Sequence, residues 1–141
     1  MVSCKDVKWY SPLPSSSVIV IFHNEAWSVL LRTVHSILDR TEPNLLNEII
    51  IVDDFSNFRK YYNSSNALIR RYYFLFCLKA HLGEPLEKYI KTLDKVKLVR
   101  TSKREGLIRA RLIGAAKATG EILIFLDSHC ECADGWLGIY N

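Results

Sequence analysis

The sequence predicts an α/β domain built on a parallel sheet. Short aliphatic runs alternate along the chain with longer amphipathic segments, and this alternation is typical of βα units. The first of these runs lacks polar alternation, as expected for a strand that is covered on both faces. With 141 residues, 49% of them hydrophobic and 24% charged, the chain allows one domain with a core of its own.

The same patterns predict each element in turn. Residues 17–22 contain an unbroken Val-Ile-Val-Ile run, which predicts a buried strand. In residues 25–38 the apolar side chains recur at helical spacing, and Asn24 stands where it would cap the helix. Further along the chain, we expect strands at 48–52, 96–99 and 122–126 and a helix at 107–118 that is stopped by Gly120.

Polar clusters follow three of the predicted strands. In open α/β sheets, ligands bind outside the carboxyl ends of the strands, so we expect the three clusters to meet in one crevice. The clusters are His23, Asn24 and Glu25; Asp53 and Asp54; and Asp127, Ser128 and His129.

Asp127 and His129 form a candidate metal site. Side chains two residues apart face the same side of an extended backbone. A carboxylate oxygen and an imidazole nitrogen together suit a borderline divalent ion such as manganese. The alternative is an aspartate that caps the next helix beside an ordinary surface histidine.

Phosphate binding is the second chemistry that the strand ends suggest. Asp53 and Asp54 either turn the chain after the second strand or bind a ribose, as acidic residues do in dinucleotide folds. No glycine-rich turn follows the first strand, which argues against a nicotinamide enzyme, so bound phosphates need a metal ion or arginines instead. Arg104 precedes a predicted helix N-terminus, a natural anion site, whereas Arg109 and Arg111 either join it or form a solvated basic face.

Charge and hydropathy narrow the classes of partner. The formal net charge of +4 is mild and scattered, so we expect no nucleic-acid partner, while an anionic small ligand fits. No stretch has the length of a membrane span, and the N-terminus lacks the pattern of a signal peptide. Four cysteines are too few and too uneven for a disulfide scaffold.

An ordered series of motifs resembles the catalytic domain of the polypeptide N-acetylgalactosaminyltransferases. The strings are SVIVIFHNEAWS at 17–28, LRTVHS at 31–36, IVDDFS at 51–56, REGLIRAR at 104–111 and FLDSHCEC at 125–132, followed by GWL at 135–137. The series covers most of the chain outside about 58–83, and it is far more specific than any one motif.

The resemblance implies an incomplete Rossmann-like nucleotide-diphospho-sugar transferase (A-type glycosyltransferase) fold and a retaining enzyme of the Golgi lumen. Such an enzyme moves N-acetylgalactosamine from UDP-GalNAc to Ser or Thr of a protein and uses Mn²⁺. By position, Asp127 and His129 match metal ligands. The positions that match donor-binding residues are Phe22, His23, Glu25, Asp54, Arg104 and Ser128.

The resemblance also bears on the cysteines and on how much of the catalytic domain this chain represents. It suggests that Cys130 and Cys132 form a local disulfide and that Cys4 has its partner downstream. It covers the donor-binding half of the catalytic domain, so we expect 1–141 to be a partial domain that transfers no sugar by itself. Residues 58–83 form an insert without an assignable motif, in which Asn63 begins a formal glycosylation acceptor.

Three functions from different classes follow from these observations. The first is an active transferase, as the resemblance implies. The second is a non-catalytic donor-binding or partner-binding form, such as a truncated isoform or a pseudoenzyme. In the third, His129, Cys130 and Cys132 hold zinc, although the Cys-x-Cys spacing is tighter than usual for zinc.

Overall fold

The computed structural model describes residues 13–56 and 81–137, and these form a parallel α/β sheet as predicted. The strands pair in the order β3-β2-β1-β4. The elements in chain order are β1 (Ser16–Phe22), α1 (Trp27–Arg40), β2 (Leu46–Asp53), α2 (Glu84–Ile90), β3 (Val96–Arg100), α3 (Leu107–Ala115) and β4 (Ile122–Asp127).

Helices cover both faces of the central strands β1 and β2, whereas the side chains of β4 are largely exposed. Val18 and Val20 of β1 pack into the larger core cluster with side chains from α1 and α2. Ile19 and Ile21 point to the other face, where they pack with Ala110 of α3. Because both faces of β1 are covered, all of its side chains are buried, which explains the missing polar alternation.

The strand order places a switch point at the centre of the sheet. From β1 the chain first builds outward through β2 and β3, and then returns to add β4 on the other side of β1. The connections to β2 and β4 therefore lead to opposite sides of β1, which opens a crevice at its carboxyl end. Ligands of open α/β sheets bind in such a crevice.

Apart from shifts of one or two residues at the ends of elements, three details differ from the prediction. Helix α2 was not predicted from the sequence. Helix α1 begins at Trp27 with Ala26 as its N-cap and no side-chain cap, so the predicted cap by Asn24 is wrong. Asn24 has a left-handed backbone (φ 55°), which turns the chain before the helix begins.

The third difference is the end of α3, which stops at Ala115 rather than at 118. The amides of Lys117 and Ala118 bond three residues back, to the carbonyls of Gly114 and Ala115, so the last turn tightens. The amide of Thr119 then bonds the Glu48 carboxylate at 2.7 Å instead of continuing the helix.

Gly114 allows α3 to lie close to the sheet. A Cβ atom at this position would stand 2.5 Å from Cγ2 of Ile19 and 3.0 Å from Cγ2 of Val52. Both are fully buried β-branched side chains of the sheet, so neither has room to withdraw.

Several predictions fall outside the described residues. Asn63, Cys4 and nearly all of the 58–83 insert lie there. None of the helices in 13–56 and 81–137 has the length and apolar character that crossing a bilayer would require.

Candidate functional site

A crevice of about 220 Å³ lies at the carboxyl ends of β1, β2 and β4, where the switch point predicts a ligand site. All eight residues singled out from the sequence as donor or metal ligands line it, and so do Ile21 and Leu107. A larger depression of about 390 Å³ runs along α2 and β3 and contains none of the eight. The strand-end crevice is therefore the candidate site.

Strand register brings the three polar clusters together. Phe22 pairs with Asp53 of β2, while Ile21 pairs with Asp127 of β4. The residues that follow β1 therefore emerge between the ends of its two neighbours. Phe22 itself belongs to the buried core, so its side chain forms the floor of the crevice rather than its rim.

Asp54 connects the end of β2 to the residues before α3. Its side chain is almost fully buried, and its carboxylate accepts the N–H groups of Glu105 at 2.8 Å and of Gly106 at 3.0 Å. The Arg104 guanidinium lies 3.3 Å from the same carboxylate and donates to the Asp54 carbonyl at 3.2 Å. Asp54 thereby holds Arg104 at the crevice, with about half of the arginine side chain exposed.

The carbonyl of Asp54 also orients His23. The Nδ1 atom of His23 lies 2.9 Å from this carbonyl oxygen. Because a carbonyl only accepts, Nδ1 carries the proton, and Nε2 accepts from the Asn24 side-chain amide at 3.1 Å. His23 is thus held against the crevice wall in one tautomer.

Glu25 connects the end of β1 to the residues that follow β4. Its carboxylate accepts the Ser128 hydroxyl at 2.7 Å and the Ala26 amide at 3.0 Å, and it lies 3.5 Å from Nδ1 of His129. Burial opposes ionisation of Glu25, but these partners outweigh it and lower the pKa of the carboxyl group below its ordinary value. Glu25 therefore faces Ser128 and His129 as an anion.

Asp127 and His129 fit a partial metal shell. Their side chains are 53% and 66% exposed and line the same crevice. One carboxylate oxygen of Asp127 lies 3.5 Å from the Arg111 guanidinium. Within residues 13–56 and 81–137, no three His, Cys, Asp or Glu side chains are grouped so that they could hold a metal ion. The pair thus supplies oxygen and nitrogen donors, but not a complete set of ligands.

The other two predicted arginines lie outside the crevice lining. Arg109 points to solvent with 72% of its side chain exposed, and it pairs with Glu105 at 3.7 Å. Arg111 lies over the ring of Phe125 at 6.0 Å and pairs with Asp127. Of the three, only Arg104 lines the crevice.

The segment after β4 is held along α1 by side chains that the sequence analysis did not single out. The hydroxyl of Thr33 lies 2.8 Å from the Ser128 carbonyl and 2.7 Å from the Cys130 carbonyl. Ser36 accepts the Cys132 amide at 3.0 Å. The sequence does contain a sign of this contact, since Thr33 lies on the apolar side of an amphipathic helix. A hydroxyl that is buried there needs a hydrogen-bond partner.

Two predictions about the cysteines are corrected. Cys130 and Cys132 are free thiols, so the local disulfide suggested by the resemblance is not formed. Cys132 packs into the hydrophobic core, and burial raises the pKa of its thiol. The zinc site of His129, Cys130 and Cys132 is likewise not formed, because no three such donors come together in the described part of the chain.

Comparison with known proteins places the chain among glycosyltransferases. Residues 17–72 and 79–139 match the Glycosyl transferase family 2. The chain is 52% identical over 135 residues to polypeptide N-acetylgalactosaminyltransferase 5 of Caenorhabditis elegans, covering 95% of this chain and 18% of that protein. It is 49% identical over 138 residues to polypeptide N-acetylgalactosaminyltransferase 4 of Mus musculus, covering 97% and 20%.

A solved structure agrees with the sequence comparison. The crystal structure of GalNAc-T7 with UDP, GalNAc and Mn²⁺ superimposes with a TM-score of 0.74 at 44% identity. The match covers 95% of this chain and 21% of that one. The chain therefore spans about a fifth of the length of the relatives that it matches.

Proposed function

Because this chain belongs to glycosyl transferase family 2 and is homologous to the polypeptide N-acetylgalactosaminyltransferases, we propose that its crevice binds a uridine diphosphate sugar. The observation that carries the proposal is that all eight predicted ligand residues line one crevice at the switch point of the sheet. The donor is UDP-GalNAc, the acceptor is Ser or Thr of a protein, and the setting is the Golgi lumen.

The crevice divides the donor between two sides. Arg104, half exposed and anchored by Asp54, offers charge-assisted hydrogen bonds to an anionic or carbonyl oxygen of the nucleotide. Phe22 and His23 form the floor and wall at the end of β1, where a flat base fits. Asp127, Ser128 and His129 lie at the end of β4, where they would face the diphosphate.

Asp127 and His129 are the residues that would hold Mn²⁺. Nδ1 of His129 faces Glu25, so Nε2 is the nitrogen that would hold the metal. When bound, the ion supplies the positive charge that stabilises the diphosphate as it leaves the sugar. Two protein ligands make a weak site, and we therefore expect UDP and the metal to bind together rather than separately.

Calorimetric titration of the chain with UDP tests this proposal. We expect weak binding that requires Mn²⁺ and that disappears in Asp127→Ala and in His129→Ala. Asp134→Ala is the matched control, because Asp134 is 84% exposed and is not part of the crevice lining. If Asp127→Ala leaves metal-dependent binding unchanged, the assigned site is wrong.

A second assay tests whether the chain transfers sugar by itself. The chain is incubated with Mn²⁺, radiolabelled UDP-GalNAc and a Ser/Thr peptide. Metal-dependent incorporation into the peptide that His129→Ala abolishes supports the transferase. Binding of UDP without incorporation is what we expect of the donor-binding half by itself, and it agrees equally with the non-catalytic alternative.

A further inference from the structure

Helix α1 holds the segment that carries His129. The contacts involve polar side chains on one side of the helix, spaced three and four residues apart, and they all reach residues 128–132. Thr33 contacts two backbone carbonyls, Ser36 contacts the Cys132 amide, and Arg40 donates to the Cys132 carbonyl. The helix therefore holds the backbone of the segment, in addition to the ion pairs that it makes with the Glu131 side chain.

Thr33 makes the contact nearest to His129. It is fully buried, and its hydroxyl lies 2.8 Å from the carbonyl of Ser128 and 2.7 Å from the carbonyl of Cys130. These two carbonyls belong to the residues on either side of His129. One buried hydroxyl therefore sets the direction of the backbone both before and after the histidine.

We propose that Thr33 is a positioning residue that directs His129 into the crevice for metal binding. This inference rests on the proposed function, because it assigns to His129 the role of a metal ligand. Thr33 acts through the backbone, whereas Glu25 acts on the side chains of Ser128 and His129 from the opposite end. The imidazole is thus oriented by two groups from different elements.

The hydroxyl group is the part of Thr33 that matters. A hydroxyl has one proton, and three carbonyls lie within hydrogen-bonding distance of it here: those of Ser128 and Cys130 and, at a longer 3.3 Å, that of Val29 in the preceding turn of the helix. Valine has the same shape but would place a methyl group against both carbonyls. The Ser128 carbonyl is buried and the Cys130 carbonyl is partly buried, so each must find another donor or rotate when the hydroxyl is lost. Either change alters the backbone beside His129. Serine keeps the hydroxyl and should keep the geometry.

Ser36 provides a matched control on the same helix. It is also buried, and it also bonds the backbone of the segment, but it does so at Cys132, three residues beyond His129. We therefore expect Ser36→Ala to loosen the segment without changing the orientation of His129. Comparison of the two positions separates a general loss of attachment from a loss of metal-ligand orientation.

The experiment measures Mn²⁺ affinity, in the presence of UDP, from the electron paramagnetic resonance signal of free Mn²⁺. We expect Thr33→Val to weaken binding by about tenfold, the lower end of what loss of an outer-shell partner costs. Thr33→Ser should restore binding to within about twofold of the unaltered chain, and Ser36→Ala should leave it unchanged. Equal affinities for Thr33→Val and Ser36→Ala would overturn the inference.

Amide hydrogen exchange gives a readout that does not depend on the metal. Thr33→Val should speed exchange at residues 128–130, and Ser36→Ala at Cys132, whose amide it bonds. If the unaltered chain binds no Mn²⁺ with UDP, the proposed function fails, and with it the metal-ligand role assigned to His129. If the unaltered chain binds Mn²⁺ but Thr33→Val alters neither exchange nor affinity, only the positioning role fails.

Discussion

The carboxylate of Asp54, at the end of β2, accepts the backbone N–H of Gly106 at 3.0 Å across 52 residues of sequence. Gly106 has a φ of +85°, a conformation that L side chains rarely adopt. The bond therefore joins a strand end to a turn that only glycine adopts without strain, and it fixes where α3 begins. Arg104 lies two residues before this point, so its place in the crevice depends on the same contact.

Asp54→Ala should destabilise the domain and weaken UDP binding. The change leaves the amides of Glu105 and Gly106 without their acceptor, which costs about 1–3 kcal/mol when such groups are buried. Urea denaturation measures the first effect and calorimetry with UDP the second. Asp39→Ala, at an exposed aspartate of α1, is the control. If the two variants prove equally stable, Asp54 does not hold the turn.

Arg104→Gln should weaken UDP binding by roughly tenfold or more, since a hydrogen bond to a charged group contributes about 1.5–3 kcal/mol. Arg109→Gln is the matched control, because Arg109 belongs to the same basic stretch but points to solvent. Its affinity for UDP should equal that of the unaltered chain. Titration calorimetry compares the three proteins, and a similar loss in both variants would point to long-range charge rather than to contact.

Because of Glu48, the free energy of unfolding should depend on pH in the acid range. Burial raises the pKa of its carboxyl group, but hydrogen bonds from Lys97, Thr119 and Ser17 outweigh this and lower the pKa to about 2. The unfolded value is near 4.5, so the stabilisation is complete above that pH and is lost as the pH falls from 4.5 towards 2. Its size is on the order of 3 kcal/mol.

The test compares Glu48→Gln with Glu84→Gln, which changes an exposed glutamate of α2. Glu48→Gln should be less stable than the unaltered chain at pH 7 and should lose less stability between pH 4.5 and 2. Glu84→Gln should follow the unaltered chain at every pH. Unfolding free energies from denaturant titration at each pH provide the measurement, and parallel curves for all three proteins would contradict the assignment.

Gly114→Ala should destabilise the domain by about 1–3 kcal/mol, the usual cost of overpacking, despite the better helix propensity of alanine. The added Cβ would stand 2.5 Å from Cγ2 of Ile19. A double-mutant cycle with Ile19→Ala checks the cause, because removal of that methyl group should reduce the cost of Gly114→Ala. Additive free energies would show that the contact is not the reason.

The clustering of the site could be predicted because it depends on strand ends. Asp54 and Asp127 directly follow or end aliphatic runs, and the carboxyl ends of parallel strands lie at one edge of a sheet. The insert of 58–83 does not disturb this inference, since β2 and β3, which lie on either side of it in the sequence, still pair in the sheet. The first turn of α1 was placed less well, because the left-handed Asn24 delays a helix whose apolar spacing already begins at Ala26.

By itself the sequence determined the parallel sheet, the two helices that follow aliphatic runs and the residues that meet at the crevice, because period and strand ends are local properties of the chain. Only the tertiary structure decided what those residues do to one another. The Asp54 carboxylate is buried by the turn before α3, and the Thr33 hydroxyl faces two carbonyls 95 and 97 residues away. These contacts depend on which helix packs on which face of the sheet. The spacing of residues within a single segment does not predict them.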